Sequence, residues 1–74
     1  MENVKKAIPA EKVDKFFKKE FGNIPKGSPL PSELFQNSSA SIETKFIEIA
    51  QQLYSVTISK DSAGKMLSRF EMSL

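Results

Sequence analysis

Apolar positions along this chain fall into three stretches of helical period. In residues 9–21, Ala10, Val13, Phe16, Phe17 and Phe21 share one stripe at about 100° per residue. Pro9 suits a first-turn position because its φ is fixed, and Gly22-Asn23 offers a left-handed cap, so a helix is expected from 9 to 21. In residues 42–54 the apolar positions Ile42, Phe46, Ile49, Ala50 and Leu53 repeat at helical spacing, and Ile47 and Tyr54 widen the arc to about 160°. An arc that wide predicts two packing neighbours. Ser41 is the expected N-cap, with Glu43 in the first turn where the helix dipole favours an acid. A third helix is expected from 59 to 71, with Ser59 as N-cap, Ile58 as a hydrophobic staple opposite Ala63, and Ala63, Met66, Leu67 and Phe70 facing inward.

Between the first two helices lies a connector, residues 22–41, in which Gly22, Pro25, Gly27, Pro29 and Pro31 break any regular element. Residues 31–36 can form a short helical turn that pins Leu34 and Phe35 onto the core. The triplet Lys26-Gly27-Ser28 lacks the upstream glycine, the Gly-Lys-Ser/Thr order and the preceding strand of a phosphate loop. Gly64, inside the last helix, costs about 1 kcal/mol against alanine and marks either a close approach or a tolerated surface position. The expected fold is a small all-α domain of three helices plus one short helical turn, with residues 1–74 forming a single unit.

Composition narrows the chemistry. The 74 residues contain no cysteine and no histidine, so disulfides, thiol nucleophiles, Ser-His-Asp triads and nearly all transition-metal sites are excluded. Ser62 and Lys65 are neighbours at i, i+3, but no oxyanion hole accompanies them, and no paired carboxylates sit on an apolar background. The expectation is a non-enzymatic protein with no catalytic residue, no metal, no cofactor and no small-molecule substrate. No apolar run approaches the roughly 18 residues of a membrane span, and Met1 to Pro9 carries no signal-peptide pattern, so a cytoplasmic protein is expected.

The net charge of +2 conceals an uneven distribution. Residues 1–26 hold seven lysines against four acids, residues 27–54 hold Lys45 against three acids, and residues 55–74 hold three bases against two acids. Lys12, Lys15, Lys18 and Lys19 gather on the back of the first helix, where they can track phosphates or an acidic partner; a solvated helix back has the same pattern. Six phenylalanines and three methionines are generous for so short a chain. The apolar surplus is either one compact core or an interface with another protein or a second copy, and Phe17, Phe21, Phe35 and Tyr54 are the candidate contact aromatics.

The segment Ile49-Ala50-Gln51-Gln52-Leu53, a turn, and Ile58 to Glu71 resembles the helix-turn-helix of winged-helix and related bacterial repressors. In those families an Ile-Ala-x-x-Leu helix leads through a short turn to a second, amphipathic helix that reads DNA. The resemblance implies that Lys60, Ser62, Lys65, Ser68 and Arg69 contact phosphates and base edges of double-stranded DNA, with Lys12, Lys15, Lys18 and Lys19 as auxiliary phosphate contacts. The chain departs from the pattern in a glycine-free connection, Tyr54 to Thr57, and in Asp61 on the reading face. A looser resemblance is to the small enterobacterial biofilm-development or two-component connector family. It is carried by Phe16-Phe17, by Glu43-Thr44 and by the closing Ile58 to Arg69-Phe70-Glu71. It implies a protein that grips and modulates a larger regulatory complex. DNA and a larger protein are therefore the rival partners.

Overall fold

The computed structural model describes residues 9–37 and 39–74. Readings that fall on residues 1–8 and on Ser38 lie outside the described residues. Four helices and no strand are present among the described residues: α1 (Ala10–Phe21), α2 (Pro31–Asn37), α3 (Ile42–Tyr54) and α4 (Lys60–Ser73). The protein is all-α, as the periodicity predicts. The expected short turn is a helix of seven residues, and α4 runs two residues beyond the expected 71.

Local chemistry accounts for the boundaries. Pro9 precedes α1 in extended conformation and its carbonyl accepts from Lys12 N–H at 3.1 Å. At the other end Gly22 adopts φ +107° and its N–H returns to the Lys18 carbonyl at 2.9 Å, a stop that glycine makes without steric cost. Lys26-Gly27-Ser28 belongs to a β-turn closed by Ser28 N–H on the Pro25 carbonyl at 3.3 Å, with Gly27 at φ +83°. Pro31 occupies the first position of α2, where its missing N–H leaves nothing unsatisfied, and the Leu30 carbonyl takes the first two helical bonds from Glu33 and Leu34. Ser41 caps α3 by accepting from Thr44 N–H at 3.3 Å.

Core packing is built on phenylalanine. Val13, Phe16 and Phe17 from α1, Phe35 from α2, Phe46, Ile49, Ala50 and Leu53 from α3, and Ala63, Met66 and Phe70 from α4 form one buried cluster. Phe46 is its hub. Its ring centroid lies 5.2 Å from Phe17, 6.0 Å from Phe16, 6.1 Å from Phe35 and 5.7 Å from Phe70, so each of the other three helices delivers a ring to it. Most of these pairs are tilted or edge-on, an arrangement that sets the positive ring edge against the negative face.

This packing corrects one expectation. Phe17 is 0% exposed and Phe35 7%, so neither is a contact aromatic; both rings are used up by Phe46. Lys45 lies over the Phe35 ring, its Nζ 4.9 Å from the ring centroid. Phe21 and Tyr54 are half-buried, their rings tilted against each other at 5.1 Å, and each stacks on Phe17. The phenylalanine surplus is core.

Tyr54 also fastens the ends of two helices together. Its hydroxyl donates to the Gly22 carbonyl at 3.3 Å, tying the end of α3 to the end of α1. Partial burial pushes the phenol above its ordinary value, and the nearby Asp14 carboxylate, whose Oδ1 is buried without a hydrogen-bond partner among the described residues, pushes the same way. The folded chain therefore holds this proton at a pH where the unfolded chain has lost it. Stability is unaffected below about pH 10, the unfolded value, and falls as pH rises through the folded value. Because the chain has one tyrosine and no tryptophan, tyrosinate absorbance reads this group directly. The titration midpoint is expected to lie higher in the folded protein than in urea, and Tyr54→Phe is expected to remove that part of the alkaline loss of stability. A midpoint unchanged by unfolding would contradict the assignment.

Candidate nucleic-acid interface

The α3–α4 unit begins with a left-handed residue. Ser55 sits at φ 55°, ψ 35°, the conformation usually given to glycine, and its N–H bonds the Gln51 carbonyl at 3.1 Å while Val56 N–H reaches the Ala50 carbonyl at 3.1 Å. The glycine-free connection thus makes its turn through a strained serine, at a cost of about 1–2 kcal/mol. From there Val56 and Ile58 turn inward, half-buried, while Thr57 and Ser59 face out. Ser59 accepts from Ser62 N–H at 3.2 Å and starts α4 where the capping pattern predicts.

The inner face of α4, Ala63, Met66 and Phe70, is buried against α1 and α3 residues of the core. Its outer face carries Lys60, Asp61, Ser62, Lys65, Ser68 and Arg69, all exposed. Lys60, Lys65, Ser68 and Arg69 line one broad, shallow groove of about 700 Å³ with Asp61, Gly64 and Glu43. Four of the five residues expected to meet nucleic acid are therefore gathered around one opening. The fifth, Ser62, stands outside the groove, its Oγ accepting from Ser59 Oγ at 3.3 Å.

Two acidic residues reach this groove from other helices or touch its bases, and neither is visible as such in the sequence. Glu43 from α3 lies so that one carboxylate oxygen is 3.6 Å from where a Cβ on Gly64 would stand. Its sequence position suggests only a dipole partner for α3. Glu20 from α1 accepts from Arg69 Nη2 at 3.0 Å. That ion pair is exposed, with 54% of the Arg69 side chain in solvent, and is worth at most about 1 kcal/mol. The guanidinium keeps donors free for a phosphate.

Gly64 has ordinary van der Waals space above it, since a methyl group at this position would meet that Glu43 oxygen and no backbone of another helix. Gly64→Ala is therefore expected to raise stability by up to about 1 kcal/mol, the helix-propensity difference, measured as a shift in the urea midpoint. A loss of stability would mean that the glycine is required for packing.

Lys12, Lys15, Lys18 and Lys19 are all exposed on α1. Lys12, Lys15 and Lys19 line a second, smaller groove with the end of α4, and Lys18 lies outside both grooves. The exposed Glu20–Arg69 pair links α1 to α4 at the surface, and Phe16–Phe70, whose centroids are 5.4 Å apart, links them in the core. Among the described residues no group of carboxylates could hold a metal ion, and no helix is long and apolar enough to cross a membrane. No family model, no curated protein and no solved structure matches this chain.

Proposed function

We propose that this is a small non-enzymatic regulator, acting in the cytoplasm, that lays the outer face of α4 on duplex DNA. The observation that carries this reading is the division of labour along α4: Ala63, Met66 and Phe70 are consumed by the core, and Lys60, Lys65, Ser68 and Arg69 surround an open groove on the other side. Lysine and arginine neutralise phosphates, Arg69 can also reach a guanine edge, and Ser62 and Ser68 are short enough to bond phosphate oxygens. Asp61 and Glu43 set a limit on non-specific affinity, because each repels phosphate; Asp61 can instead accept from a cytosine amino group. Lys12, Lys15, Lys18 and Lys19 supply auxiliary phosphate contacts. A homodimer would offer two α4 helices to successive major grooves, a spacing that sets half-site separation at about one helical turn.

Amide-shift mapping of the full chain with a short duplex tests this reading. Saturable changes confined mainly to residues 59–69 are expected. Changes that avoid α4, or no saturable change at low ionic strength, would overturn it.

A further inference from the structure

The groove on the outer face of α4 owes its shape to a glycine. Gly64 stands in the middle of that face, with Lys60 and Asp61 one turn before it and Ser68 one turn after, so the other side chains ring a position that has none. Beside this gap lies Glu43 of α3, one carboxylate oxygen 3.6 Å from where a Cβ on Gly64 would stand. Glu43 is half-buried and forms no hydrogen bond or ion pair among the described residues, although Lys60, Lys65 and Arg69 line the same groove. Its acceptor oxygens are left for a ligand.

The charge of Glu43 narrows what that ligand presents. A carboxylate in the middle of the groove repels phosphate from that spot and calls for a hydrogen-bond donor. In the major groove of duplex DNA the donors are the amino groups of cytosine and adenine, and their surroundings differ. The adenine amino group lies between its own N7 and the O4 of the paired thymine, two acceptors that repel a carboxylate. In a C·G pair the cytosine amino group stands to one side and the guanine O6 and N7 acceptors to the other, which suits a groove that holds a carboxylate among cations. On the footing that α4 binds duplex DNA, we propose that Glu43 is a specificity-determining residue, accepting from the N4 amino group of a cytosine while a cation of the same groove donates to the paired guanine. Asp61 has the same chemistry but is exposed on the first turn of α4, whereas Glu43 is half-buried with α4 beside it.

The test is selection by the full chain from a pool of duplexes whose randomised segment spans about one helical turn. The native chain is expected to enrich C·G at one position, and replacing that pair by A·T should cost about tenfold or more in affinity. Glu43→Gln is expected to lose this preference and to gain adenine at the same position, because the amide can pair with N6 and N7. It should hold an A·T-only duplex at least as tightly as the native chain, since a phosphate-repelling charge is gone, and its urea midpoint should stay near native. Asp61→Asn should leave the C·G preference in place. The assignment is overturned if the native chain binds the pool without a C·G preference, if the preference survives Glu43→Gln, or if it is lost in Asp61→Asn instead; duplex binding by α4 stands in all three cases. A native chain that binds no duplex of the pool at low ionic strength overturns both.

Discussion

Phe46→Ala is expected to abolish cooperative folding. Phe46 is 0% exposed and its ring meets Phe16, Phe17, Phe35 and Phe70, one or more from each of the other helices. Truncating a buried phenylalanine costs about 3–5 kcal/mol through lost transfer energy and the cavity left behind. A core in a chain this short supplies about the same amount, and there is no disulfide to hold the helices together. The loss therefore matches the whole expected stability. Circular dichroism across a urea titration should show a sigmoidal transition for the native chain and none for the variant. Phe21→Ala, at the half-buried edge of the cluster, should retain a transition with a lower midpoint. A Phe46→Ala protein with a near-native midpoint would mean that the four-ring hub does not hold the fold together.

Lys65→Ala with Arg69→Ala is the second large effect, and it should fall on binding alone. Both side chains are exposed and both line the groove on the outer face of α4, and the double change breaks the exposed Arg69–Glu20 ion pair without touching the buried cluster. Helicity should be retained and stability should change by no more than about 1 kcal/mol. If each residue neutralises one phosphate, duplex affinity should fall by about a hundredfold at low salt and the salt slope should flatten by about 2. Lys26→Ala, which removes an exposed charge from the connector, is the control and should have little effect. The acidic neighbours predict the opposite sign: Glu43→Gln with Asp61→Asn should strengthen binding, because two phosphate-repelling charges leave the groove. An unchanged duplex affinity in the Lys65/Arg69 variant would move the interface elsewhere.

Helix positions were legible in the sequence because their causes are local. The stripe of Ala10, Val13, Phe16, Phe17 and Phe21, and the caps at Ser41 and Ser59, depend on residues within a turn or two of each other, and these helices stand where that spacing puts them. The extent of α2 was less legible, since it depends on Pro31 and Phe35 finding buried places against distant helices. The fate of the phenylalanines was not legible at all. Counting six of them cannot distinguish an interface from a core, and the answer came from Phe46 standing where four helices converge. The same holds for the groove on α4. Its lysines and arginine follow from their helical spacing, but Glu43 beside Gly64 and Glu20 on Arg69 required the packing of α3 and α1 against α4. The turn at Ser55 is a further case: nothing in Tyr54-Ser55-Val56 announces a left-handed residue, and only the two N–H bonds back to Ala50 and Gln51 explain it.

The most direct test of DNA binding through α4 is a salt titration of duplex affinity with the unmodified chain. With Lys60, Lys65 and Arg69 each neutralising a phosphate, the logarithm of the binding constant should fall with the logarithm of salt at a slope of about −3, steeper if the α1 lysines also engage. Absence of duplex binding at low ionic strength, or binding whose affinity does not change with salt, would contradict it.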